Sequence, residues 1–70
     1  MKEHPYRFSL VDHDDTGVTY TYPSDALAEA SPDATIAAVK VWTTRDGRRY
    51  RPSAIRTYRR NSDGVWGLEP

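Results

Sequence analysis

Apolar and polar side chains alternate over residues 6–10, where Tyr6, Phe8 and Leu10 are separated by Arg7 and Ser9. A period of two predicts a strand with one face turned to a core. The pattern returns over residues 18–22, with Val18, Tyr20 and Tyr22 set against Thr19 and Thr21. Between them lies Asp12-His13-Asp14-Asp15-Thr16-Gly17, a run of turn-forming residues. Together the three stretches predict a hairpin. The pattern then changes at Pro23. Ser24 is a candidate helix cap, Asp25 suits a first turn, and Ala26 to Glu29 favour helix. One or two helical turns are expected, ended by Pro32. Residues 35–44 are rich in β-branched side chains and predict a strand. A helix opened by Ser31 and Pro32 competes with that reading.

Asp46-Gly47 between β-forming runs is the signature of a two-residue hairpin turn. That turn sets a register in which Arg45 faces Arg48, Thr44 faces Arg49, Thr43 faces Tyr50 and Trp42 faces Arg51. Val41, Thr43 and Tyr50 then share one face, and Trp42, Thr44, Arg49 and Arg51 the other. Pro52 is expected to break the strand. Residues 53–61 read as a further strand, or else as a short helix capped by Ser53. Asn61-Ser62-Asp63-Gly64 offers a turn before Val65 to Leu68. The sum is a mostly β chain with one short helix, an α+β arrangement. The expected architecture is a small SH3-like barrel or a curled antiparallel sheet of five to six short strands.

Seventy residues form one expected domain, spanning 1–70. A chain of this size builds a modest core and commonly relies on a staple or a partner. Cysteine is absent, which removes disulfides and thiolate metal sites and fits a reducing compartment. No apolar run approaches the length of a membrane span, and residues 1–9 lack the apolar stretch of a signal peptide. A soluble, cytoplasmic protein without membrane contact is the expectation.

The opening turn spells Asp-x-Asp-x-Thr from Asp12 to Thr16. Over these five residues it resembles the nucleophile motif of haloacid-dehalogenase-type phosphatases. That resemblance would make Asp12 the nucleophile, Asp14 the acid/base and Thr16 a phosphate contact. Asp15 stands where that family has glycine, and no βαβ pattern surrounds the motif, so the spelling lacks its context. Asp12, Asp14, Thr16 and Gly17 also match the first positions of a calcium loop, but Pro23 occupies the place of its bidentate glutamate. His4 and His13 are too few to close a metal site. A turn is the simplest reading of the stretch. No phosphate loop or nucleophile elbow is present, and neither catalytic residue, metal nor cofactor is expected.

Charge separates along the chain although the total is zero. Residues 1–39 carry two basic and seven acidic side chains, whereas residues 40–60 carry eight basic and one acidic. Seven of those eight are arginine, whose planar fork suits phosphate and carboxylate. Aromatic residues are interleaved with them. Trp42, Arg49, Arg51, Arg56, Tyr58, Arg59 and Arg60 therefore form the candidate partner-binding set. Two partner classes fit. An acidic protein surface is favoured, because Arg, Tyr and Trp dominate binding hot spots and the net charge is zero. Nucleic acid held by a basic, aromatic groove is the alternative. A phage or mobile-element inhibitor of a host machine, of the anti-CRISPR or anti-defence type, also fits the size and the two-sign charge layout. Exposed strand edges make a homodimer compatible with each.

Overall fold

The computed structural model describes residues 5–44 and 49–69, apart from the Asp14 side chain. Four strands form one antiparallel sheet: β1 (Tyr6–Leu10), β2 (Ile36–Thr43), β3 (Arg51–Arg60) and β4 (Trp66–Leu68), in that spatial order. Among the described residues the single α-helix, α1 (Pro23–Leu27), lies in the long connection from β1 to β2, after a 3₁₀ segment over Val11–Thr16. The mostly β, α+β reading holds, but among the described residues the strands number four, not five or six. The sheet is also open. β1 and β4 stand at opposite edges, so no barrel closes.

The predicted first hairpin is reduced to a single bridge. Phe8 and Tyr20 exchange both backbone hydrogen bonds, at 2.8 and 2.7 Å, and no further pair follows. Gly17, at φ +74°, turns the chain back, and Pro23 opens the helix three residues after Tyr20, so only Tyr20 is aligned with β1. The Arg7 guanidinium completes the attachment. Its Nε donates to Thr19 Oγ1 at 3.0 Å, one terminal nitrogen to Thr21 Oγ1 at 3.0 Å, and the other to the Thr19 carbonyl at 2.7 Å.

Tyr22, not Ser24, occupies the cap position of α1, and Pro23 fills its first turn, where a missing N–H costs nothing. The helix ends well before Pro32. Glu29 and Ala30 donate to the carbonyls three residues back, tightening the last turn into 3₁₀ form. α1 packs over β1 and β2. It buries Ala26 and Leu27 against Phe8, Leu10, Ala37, Val39, Val41 and Tyr58. Every second residue of β2 enters this core, as a strand with one covered face requires.

Residues 53–60 lie within β3, Asn61 begins the next turn and no helix forms over 53–61, and the helix reading from Ser31 is likewise overturned by β2. The Asp46-Gly47 turn and the Arg45–Arg48 pair lie outside the described residues, as does His4. The flanking register is described and departs from the expected one. Thr43 pairs with Arg51 and Trp42 with Pro52, one position beyond the predicted partners. An odd number of residues separates Thr43 from Arg51, which a two-residue turn cannot supply. A second offset follows between Val41 and Trp42. Val41 pairs with Ala54, so Ser53 is the extra residue of a β-bulge, and its hydroxyl donates to the Val41 carbonyl at 3.2 Å. Pro52 therefore lies within the strand beside a bulge, where a missing donor is tolerated.

β3 turns into β4 through the predicted Asn61–Gly64 turn. Asn61 Oδ1 accepts from the Asp63 and Val65 amides at 2.9 and 3.0 Å, and Gly64 takes φ +82°. Among the described residues no helix is long and apolar enough to cross a membrane.

The packing predicts a clear contrast. Leu27→Ala, at the contact of α1 with the sheet, should destabilise the fold by about 2–5 kcal/mol. Ile36→Ala, on the uncovered face, should cost under about 0.5 kcal/mol. Urea denaturation followed by circular dichroism measures both.

Candidate partner-binding surface

Pairing register divides the sheet into two faces. Residues opposite each other in an antiparallel pair share a face. Val41 with Ala54, Val39 with Arg56, and Ala37 with Tyr58 therefore lie on the side of α1. Lys40 with Ile55, Ala38 with Thr57, and Ile36 with Arg59 lie on the other, open side. Trp42 joins the open side, and Arg51 follows Thr43 onto the α1 side. The sequence-based set is thus split. Trp42 and Arg59 are on the open face, whereas Arg51, Arg56, Tyr58 and Arg60 are on the opposite one. The expected sharing of a face by Trp42 and Arg51 fails because of the shifted register.

The arginines also separate by what they touch. Arg60 is a structural anchor: its Nη2 faces the carbonyls of Ser31, Pro32 and Ala34, tying the loop before β2 to the end of β3. Its guanidinium lies 4.7 Å from the centre of the Trp66 ring. Arg59 pairs with Glu69. By contrast Arg49, Arg51 and Arg56 are exposed, and their side chains form no hydrogen bond or ion pair with any described residue.

The aromatic members are occupied. Tyr58 is only 9% exposed and belongs to the core, packed across from the small Ala37. Trp42 donates its indole N–H to Ser9 Oγ at 2.9 Å, which satisfies a hydroxyl that is otherwise buried. Lys40 sits over the same ring, 5.3 Å from its centre. Ile55, which the charge pattern did not single out, is 61% exposed beside Lys40 and Thr57 on the open face. An apolar residue between basic ones in a strand of period two was the signal available for it.

The Asp-x-Asp-x-Thr stretch, expected as a hairpin turn, lies in the 3₁₀ segment, and the chain reverses at Gly17. Thr16 Oγ1 donates to the His13 carbonyl at 2.7 Å and accepts the Val18 amide at 3.2 Å. A shallow recess of about 130 Å³ beside it is lined by Leu10, Val18, Tyr20 and Ala26 together with His13, Thr16 and Glu29. Neither Asp12 nor Asp15 lines that recess, so the recess and the motif do not combine into one site.

Comparison with protein-family models, curated proteins and solved structures gives no match to this chain.

The division of the arginines has a stability signature. Arg60→Ala should destabilise by about 1–3 kcal/mol, since it strips carbonyl partners and uncovers Trp66. Arg56→Ala should stay within about 0.5 kcal/mol. Equal losses at the two positions, measured by chemical denaturation, would overturn the division.

Proposed function

We propose that this chain is a small non-enzymatic binding module that contacts an acidic protein surface through arginines of the β2–β3 hairpin. One observation carries the reading: Arg49, Arg51 and Arg56 stand exposed with no partner among the described residues, while Arg7, Arg59 and Arg60 are each spent on the fold. An exposed guanidinium offers a rigid fork of donors to a carboxylate. Contact energy at such a surface comes from the few arginines and apolar residues that lose water together.

The occupied aromatics favour protein over nucleic acid. Stacking of bases needs open ring faces. Tyr58 is buried, Trp66 lies under Arg60, and Trp42 lies under Lys40. A phosphate backbone would still find the arginines, but these three rings of the basic half are already occupied. The absence of cysteine supports action in a reducing compartment such as the cytoplasm.

Titration of the whole chain against fluorescent poly-L-glutamate, and against labelled single- and double-stranded DNA, at two salt concentrations tests this. Poly-L-glutamate is expected to bind more tightly than either DNA. Arg49→Glu combined with Arg51→Glu should weaken that binding at least about tenfold, as reversal of close charge pairs does. Unchanged binding in the double variant would place the contact elsewhere. Tighter DNA binding with a steep salt dependence would assign the arginines to phosphate instead.

A further inference from the structure

Among the described residues, nothing pairs with the outer edge of β3 along half its length. β4 pairs only with Tyr58, Arg59 and Arg60, and every residue from Arg51 to Thr57 is exposed. Backbone hydrogen bonds fix which groups face outward. The Arg60 amide donates to the Thr35 carbonyl at 2.8 Å, towards β2. The Asn61 amide donates to Val65 at 2.9 Å, and the Thr57 carbonyl accepts from Glu69 at 2.8 Å, both on the β4 side. Direction alternates along a strand, so beyond the Ser53 bulge, from Ala54 onward, even-numbered residues of β3 serve β2 and odd-numbered ones face the outer edge. Ile55 therefore presents both its N–H and its C=O outward, directly in line with the end of β4.

The charge around this edge selects its occupant. Residues 49–60 carry five arginines and no acidic side chain. A second copy would set two such strands side by side, four arginines in each β3, and like charges facing each other across a pair oppose it. An acidic strand meets the opposite condition. Side chains on an added strand alternate between faces. Those on the α1 side would lie beside Arg51 and Arg56, and those on the open side beside Ile55.

We propose that the bare edge of β3 accepts an extended segment of alternating acidic and apolar residues as a fifth strand, collinear with β4. The Ile55 backbone supplies the pairing hydrogen bonds, Arg51 and Arg56 receive the carboxylates, and the Ile55 side chain receives the apolar residue. Main-chain bonds would give affinity and the alternate side chains selectivity, the general logic of strand addition. The proposal rests on the binding-module reading above and adds how the partner is held.

The test uses the whole chain and a blocked, fluorescent peptide of sequence Glu-Val-Glu-Val-Glu-Val-Glu, followed by fluorescence anisotropy. Binding is expected, with slowed hydrogen exchange at the Ile55 amide. N-methylation of the central valine, which removes its one N–H and sets a methyl group against the Ile55 carbonyl, should weaken it at least about tenfold. Ile55→Pro should do the same. That variant removes an outward N–H that β2 does not use, and circular dichroism checks that the sheet is retained. If Ile55→Pro does not fold, the N-methylated peptide decides alone. Binding that N-methylation leaves unchanged, but Arg51→Glu with Arg56→Glu abolishes, would overturn strand addition and leave the arginine surface standing. No binding at millimolar peptide, or displacement of the peptide by equimolar oligothymidylate, would also overturn it.

Discussion

A helix of five residues cannot cover a four-stranded sheet, and most of this molecule follows from that shortfall. α1 rests on β1 and β2, and its two buried side chains, Ala26 and Leu27, meet the alternate residues of those strands. Beyond its reach only Tyr58 of β3 is buried. The cause lies in the connection from β1 to β2. The 3₁₀ segment and the Phe8–Tyr20 bridge use up its first half, and the Ser31–Ala34 loop, held by Arg60, uses its end. What remains for helix is one turn and a half. The core is correspondingly small, and the hairpin of β2 and β3 extends past it.

The same shortfall separates the roles of like residues. Arginines that meet the carbonyls and hydroxyls of loops become parts of the fold. Arg7 gathers Thr19 and Thr21, and Arg60 gathers the Ser31–Ala34 loop. Both bind neutral oxygens. The ion pair of Arg59 comes from Glu69, near the chain's end, and not from the acidic residues of the first half. Charge segregation along the sequence thus survives folding as charge segregation in space, at least for Arg49, Arg51 and Arg56. Composition alone presents these six arginines as equivalents.

Much of the fold was legible. Alternation at Tyr6–Leu10 and β-branching at Ile36–Thr43 identified the two strands that carry the core, and Asn61 and Gly64 identified the last turn. The failures have physical causes. Val18–Tyr22 has strand composition, but a helix starting at Pro23 pulls it away from β1 after one bridge. The register of the β2–β3 hairpin could not be read from Asp46-Gly47, because Thr43 pairs with Arg51 and the Ser53 bulge adds a further offset that no turn signature announces. The error then propagated to the candidate site, since a slip of one residue moves a side chain to the opposite face. Given that β3 is a strand, parity alone would have put Arg56, Tyr58 and Arg60 together and Ile55, Thr57 and Arg59 apart from them.

Pro52 and the Ser53 bulge have a consequence for solution behaviour. Long, flat, unpaired strands template the stacking of identical chains into aggregates. Here a residue without an amide proton stands at one end of the bare stretch and a local kink follows it, while Glu69 closes the other end. The exposed backbone is thereby cut to a window centred on Ile55, too short to seed a cross-β ribbon. A sheet can keep one edge open in water, at the concentrations of a cell, when the opening is narrower than the shortest segment that fibrils propagate.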